Sequence, residues 1–157
     1  MPAVTIRRAT GDDARWAAEV MASSDPWLTL GRGFDACLAA CTSALDVLEI
    51  AERGGERCGL VLVRPAGVAG APYIVSIAVA PGFRSHGVGS ALLDHVEGAY
   101  RGRSRHLFLC VSSFNPRARR FYERHGFEAV GTLKAFLIEE ADEILMHKRL
   151  ARAGDPA

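Results

Sequence analysis

The chain has 157 residues, 49% of them hydrophobic and 24% charged, with a formal charge of +1. That length fits one domain, and that composition excludes disordered and fibrous classes. The longest strongly apolar stretch, Tyr73 to Ala80, falls far short of the roughly 20 residues of a membrane-spanning helix. No apolar leader is visible at the N-terminus, so a cytoplasmic protein is expected.

Val4 to Arg8 is a short β-prone run. Thr10 reads as an N-cap, with Asp12 and Asp13 in the first turn of a helix over Ala14 to Ala22 that Ser23 to Pro26 ends. Trp27 to Gly33 reads as a loop, and a second helix follows from about Phe34 to Ser43. Asp46 to Glu52 alternates with period two, Gly54-Gly55 is a hairpin signal, and Cys58 to Val63 is the return strand. Pro65 to Pro72 reads as a Gly/Ala/Pro loop, and Tyr73 to Val79 as an apolar strand deep in a sheet.

Beyond it the sequence predicts a helix over Val88 to Tyr100, a strand over His106 to Val111 and a helix over Pro116 to His125 capped by Gly126. Strands follow over Phe127 to Leu133, Phe136 to Ile138 and Ile144 to Lys148. The order gives one mixed α/β domain over residues 1–150 with a short tail, 151–157, around a central, mostly antiparallel sheet. A helical crossover joins the strands flanking the 88–100 helix, so those two should be parallel.

The charge is unevenly spread. Residues 101–124 carry seven arginines against one acid, Glu123, so that segment is +6 and the rest of the chain −5. Such a patch suits a small polyanion such as a phosphorylated cofactor, or is a solvated arginine face. A nucleic-acid partner is not expected at a net charge of +1. Of the four cysteines, Cys37 and Cys41 share one helix face, with no further ligands at metal-binding spacing. Buried free thiols and no metal are expected.

The sharpest segment runs Ser76-Ile77-Ala78-Val79-Ala80-Pro81-Gly82-Phe83-Arg84-Ser85-His86-Gly87-Val88-Gly89-Ser90. It is a buried strand, a tight loop reading Arg84-x-x-Gly87-x-Gly89, then a helix. A helix start fed by glycines offers unpaired backbone N–H groups and the positive end of the dipole. Bare backbone at Gly87 and Gly89 would let a phosphate come close, and Arg84 adds a charge beside it. The alternative is a turn glycine followed by a helix-packing glycine. In the second segment, Asn115 is a good N-cap, Pro116 a good first helical residue, and Tyr122 shares a face with Ala118.

The two segments together resemble the GCN5-related N-acetyltransferase (GNAT) superfamily. Val79 to Gly89 matches its V-x-P-x-x-R/Q-x-x-G-x-G/A signature, and Asn115 to Phe127 matches N-x-x-A-x-x-x-Y-x-x-x-G-F. The resemblance implies the acyl-coenzyme A N-acyltransferase fold, with its parallel strand pair splayed at the cofactor site. It implies acetyl-coenzyme A as cosubstrate, its pyrophosphate on the amides of Arg84, Ser85, His86, Gly87, Val88, Gly89 and Ser90. Ile77, Ala78 and Val79 would bond the pantetheine arm as an added strand. Asn115 and Ala118 would also contact the cofactor, and Tyr122 would serve as general acid at the thioester sulfur. The implied reaction is direct attack by a primary amine on a carbonyl polarised by the Val79 amide. The amine could be a protein N-terminus, a lysine or a small molecule.

One position departs from the family. Members that acetylate a ribosomal protein often carry a glutamate base five residues before the motif asparagine, and here that residue is Cys110. Base duty then falls to Glu49 or to Tyr73 through water, or the amine arrives already deprotonated. Trp27 and Tyr73 are candidates for the acceptor wall. Glu139, Glu140, Asp142 and Glu143 form an acidic run that reads as a solvated turn, with attraction of a cationic amine as the alternative. A non-catalytic acyl-coenzyme A sensor is the rival reading, and a homodimer is left open.

Overall fold

Strand parity sorts the side chains between two cores on opposite faces of one sheet. The computed structural model describes residues 1–152, 154 and 155, so residues 153, 156 and 157 of the expected tail lie outside the described residues. The strands are β1 (Val4–Arg8), β2 (Val47–Arg53), β3 (Glu56–Val68), β4 (Ala71–Val79), β5 (His106–Ser112), β6 (Glu128–Ile138) and β7 (Ala141–Arg149). The helices are α1 (Asp13–Ala22), α2 (Phe34–Cys41), α3 (Val88–Tyr100) and α4 (Pro116–Arg124). The sheet runs β1-β2-β3-β4-β5-β7-β6 and is antiparallel except between β4 and β5.

Leu48 and Ile50 of β2, with Leu60 and Leu62 of β3, pack with Ala17, Met21, Cys37 and Cys41 of α1 and α2. Val61, Val63, Ile74, Leu107 and Leu109 pack the other way, with Val88, Leu92 and Val96 of α3 and Tyr122 of α4. Cys37 and Cys41 thus lie on one buried helix face as free thiols. Among the described residues no helix is long and apolar enough to cross a membrane.

The expected loop over Pro65 to Pro72 is instead the closing end of a long hairpin. Strands β3 and β4 run on to a turn at Ala69-Gly70, where both residues have positive φ, 49° and 83°. That is what a two-residue hairpin turn of primed type demands. The prolines are tolerated because the ladder is irregular between Arg64 and Val68. Gly67 has a packing reason: a Cβ there would collide with Tyr73 Cβ, so bare backbone seats Tyr73. The two short strands expected over 127–138 are one bent strand, with Ala135 at φ 44°. Its N–H donates to Asp142 Oδ1 (3.0 Å).

The start of α1 also differs from expectation. Thr10 does not cap through its hydroxyl. The buried Asp13 carboxylate accepts the Thr10 N–H (2.8 Å) and two arginines, Arg7 (2.6 Å) and Arg57 (3.1 Å). The Arg7 guanidinium, against the cost of burial, holds the Asp13 carboxyl down at about 2. An unfolded Asp titrates near 3.9. The stabilisation is therefore complete above that value and is lost as pH falls toward 2. We expect Asp13→Asn to lower stability by about 1–3 kcal/mol at pH 7. The gap between variant and parent in urea unfolding should narrow steadily from pH 5 to pH 2.

Candidate active site

Strands β4 and β5 pair at only two positions, Tyr73 with Phe108 and Ile74 with Leu109. Beyond them the strands part, and a cleft of about 1090 Å³ runs through the gap. The Ala80 N–H bonds Cys58 O on β3 (2.8 Å). Successive residues of a strand point their polar backbone groups to opposite edges. Ala78 therefore turns its groups toward β3, and Ile77 and Val79 turn theirs toward the gap. Arg84 agrees with this, its Nε donating to Val79 O (3.3 Å) across the opening. Its Nη2 donates to Ser24 Oγ (3.1 Å), which ties the loop to the end of α1.

The loop reaches α3 through three residues in the left-handed region, Gly82 (φ 90°), Ser85 (φ 64°) and Gly87 (φ 83°). Ala91 is the first N–H to meet a helix carbonyl, that of Gly87 (3.1 Å). The amides of Val88, Gly89 and Ser90 thus stand at the open end of a 13-residue helix, beside the cleft. Two details differ from the expected cradle. A Cβ on Gly89 would lie 3.1 Å from Phe121 Cζ, so this glycine lets α3 and α4 approach. The His86 ring does not line the cleft, and its Nδ1 lies 2.6 Å from Arg84 O.

Helix α4 closes the same side. Asn115 Oδ1 accepts the Ala118 N–H (3.2 Å), and Pro116 occupies the first turn. Ser90 Oγ lies 3.0 Å from His125 Nε2, which joins the start of α3 to the end of α4. Asn115, Ala118 and Tyr122 line the cleft, as do Arg117 and Arg124 from the basic segment. Tyr122 is 8% exposed, and burial pushes its hydroxyl well above the usual phenol value. It therefore keeps its proton throughout the neutral range.

The opposite side is built from the α1–α2 loop and the far ends of β4, β5 and β7. Trp27 is buried in the α1–α2 core and reaches the cleft. Tyr73 lines it too, beside Cys110; burial pushes both the phenol and the thiol up.

Glu49 is not there. Its β2 neighbours Leu48 and Ile50 face α1 and α2, so parity turns Glu49 to the α3 face, where Oε2 meets His95 Nε2 (2.9 Å). The expected base is thus on the wrong face and outside the cleft. Two acids do line it: Asp25, exposed and accepting from the Thr29 N–H (3.1 Å) and hydroxyl (2.6 Å), and Glu143, 5% exposed, whose Oε2 accepts the Ser112 hydroxyl (2.6 Å). Glu139 and Glu140 are exposed turn residues, as expected for the acidic run. Only the strand parity of Ala141 to Arg149 could have separated Glu143 from them.

The comparisons agree with this geometry. The acetyltransferase (GNAT) family profile matches residues 13–127. An uncharacterised N-acetyltransferase of Methanocaldococcus jannaschii is 35% identical over 86 residues, 54% of this chain and 55% of that one, so the match spans about half the length of that relative. A solved Desulfovibrio desulfuricans structure assigned to the GNAT acetyltransferases is 28% identical, covers 95% of this chain and 100% of that one, and superposes with a TM-score of 0.80. A Bacillus anthracis protein assigned as a streptothricin acetyltransferase, solved with acetyl coenzyme A, shares the fold at 22% identity and a TM-score of 0.62, over 70% and 65% of the two chains. This chain belongs to the acetyltransferase (GNAT) family.

Two substitutions separate charge from packing at the cradle. We expect Arg84→Ala to weaken coenzyme A binding by about 1.5–3 kcal/mol, the value of a charged hydrogen bond, with little change in melting temperature. Gly89→Val should cost about 1–3 kcal/mol of stability by overpacking against Phe121 and should weaken coenzyme A binding as α4 is pushed away. Calorimetry alongside thermal unfolding reads both.

Proposed function

We propose that this chain transfers the acetyl group of acetyl-coenzyme A to a primary amine, on a protein N-terminus, a lysine or a small molecule. One observation carries the reading. A single cleft through the sheet collects a free strand edge at Ile77 and Val79, the open amides of α3, and a buried phenol on α4. Acetyl-coenzyme A is the cosubstrate this arrangement suits. A protein of the same fold holds it, and Val79, Arg84, Gly87 and Gly89 of the first motif line the cleft with Asn115, Ala118 and Tyr122 of the second.

In this reading the diphosphate lies on the amides of Val88, Gly89 and Ser90, with Arg84 swinging from Val79 O to meet it. The pantetheine extends the sheet along the free edge of β4, as an added strand would. The Val79 N–H then polarises the thioester carbonyl where negative charge develops. The amine attacks from the side of Trp27, Tyr73 and Glu143. The C–N bond forms, the C–S bond breaks, and the Tyr122 hydroxyl donates to the departing sulfur. A simple thiol titrates near 8.5, below the raised Tyr122 phenol. The net proton therefore comes from the positively charged nitrogen of the adduct, with Tyr122 as its relay.

Tyr122→Phe removes that hydroxyl and keeps the ring, its packing and the core. We expect the variant to fold normally, bind acetyl-coenzyme A nearly as tightly as the parent, and lose about 10²–10⁴-fold in turnover. Thiolates leave fairly well unaided, which favours the lower end. A thiol-release screen of peptides and small amines identifies the acceptor first. Coenzyme A binding without thiol release across the whole panel would instead favour an acyl-coenzyme A sensor.

A further inference from the structure

A carboxylate buried without a cation is costly unless something completes its environment. Glu143 is such a group. It is 5% exposed, lines the cleft and takes part in none of the ion pairs among the described residues. Among the described residues its one side-chain hydrogen bond is the 2.6 Å contact from Ser112 Oγ. Ser112 and Glu143 are directly opposed on β5 and β7, so their side chains share a face. Parity fixes which face. Val111, Leu109 and Leu107 point to the α3 core, which leaves Cys110 and Ser112, and with them Glu143, on the other side of the sheet.

We propose that Glu143 is the proton acceptor for the incoming amine, and that the acceptor therefore enters the cleft as a cationic primary ammonium. This rests on the acetyl-transfer reading above. The ammonium gives one proton to the Glu143 carboxylate and becomes a neutral amine with a free electron pair. That pair forms the C–N bond to the thioester carbonyl carbon. The adduct's second N–H proton passes through Tyr122 to the sulfur as the C–S bond breaks. The acetamide and free thiol depart, and Glu143 returns its proton to water. One ammonium and one thioester give one amide, one thiol and one proton.

The neighbours favour this assignment. From β4 and β5, Tyr73 and Cys110 face Glu143 with their hydroxyl and thiol held protonated by burial, so neither competes for the proton. From the α1–α2 loop, Arg32 contributes a positive charge. Burial raises the Glu143 carboxyl above the ordinary glutamate value, while Ser112 and Arg32 pull it back. The net direction is upward, so the carboxylate is more basic than one in water. Cys110 is opposed on β7 by Leu145. Glu143 is two residues further along the same face, roughly 7 Å. The carboxylate missing from β5 is thus supplied from the adjoining strand.

The test compares parent, Glu143→Gln and Ser112→Ala in thiol release from acetyl-coenzyme A over pH 5–9, with each of a panel of primary amines. Coenzyme A affinity is measured by calorimetry. The parent's kcat/KM should fall at low pH as Glu143 protonates. Glu143→Gln should lose about 10²–10⁴-fold in kcat/KM and lose that acidic limb, with coenzyme A affinity unchanged. Ser112→Ala removes a bond to the charged form, so its acidic limb should move up by about one unit or more. A Glu143→Gln enzyme that keeps both rate and limb overturns the role of Glu143 and leaves acetyl transfer standing. If that variant no longer binds coenzyme A, Ser112→Ala decides, and an unmoved limb overturns the proposal. A parent that binds coenzyme A yet releases thiol with no amine brings down the acetyl-transfer reading and this role with it.

Discussion

Two residue pairs hold the centre of the sheet together. Tyr73–Phe108 and Ile74–Leu109 are the only rungs between β4 and β5, and everything the cleft offers depends on the strands separating after them. An unpaired strand edge inside a protein is normally a liability. Here it is kept open by what flanks it. Val88 and Leu92 pack α3 against β3 on one face, close enough that a Cβ on Gly59 would lie 2.9 Å from Val88 Cγ1. The α1–α2 layer grips Leu60, Leu62 and Ala78 on the other. Strands β3 and β4 are thus clamped on both faces, and the α3 core continues under β5 and β7, so the strands on either side of the gap are held by packing that does not use its open edge.

The gap also gathers charge. Arg117 and Arg124 of α4 and the open amides of α3 line the cleft, as do Arg32, Asp25 and Glu143. The near-zero net charge of the chain hides this concentration. Not every arginine of the basic segment joins it. Arg119 pairs with Glu123 one helical turn along (3.5 Å), and Arg103 lies over the Tyr100 ring. The patch read from composition is therefore part cleft-facing and part ordinary helix surface.

How far the sequence could be read follows from the range of the interactions involved. The cradle is local: a buried strand, a loop needing three positive φ angles and a helix start are contiguous, so their residues announce themselves. The α4 cap is local too, in Asn115 and Pro116. What failed was set by pairing across the chain. Glu49 looked like an available acid because period-two alternation shows that a strand has two faces without showing which helix covers each. The loop over 65–72 hid a hairpin because its prolines fall where the ladder is irregular. Gly89 could be read as phosphate clearance or helix packing, and the deciding neighbour, Phe121, lies on another helix. Glu143 reads as one of four acids in a solvated turn because its burial arises only when β7 pairs with β5.

The residue at Cys110 connects these points. Its thiol and the Tyr73 phenol stand side by side, and burial raises both, so this part of the wall keeps its protons at neutral pH. A carboxylate at 110 would instead stand close to Glu143. Two acids sharing a small site push one pKa sharply up, since both cannot stay ionised cheaply. The thiol on β5 and the acid on β7 are therefore best understood as a single choice. With Cys110 neutral, Glu143 faces only Arg32 as a charged neighbour from across the cleft. The Ser112 hydroxyl bonds the same carboxylate, and no salt bridge among the described residues occupies it, which leaves its ion-pair position open to a cation entering the cleft.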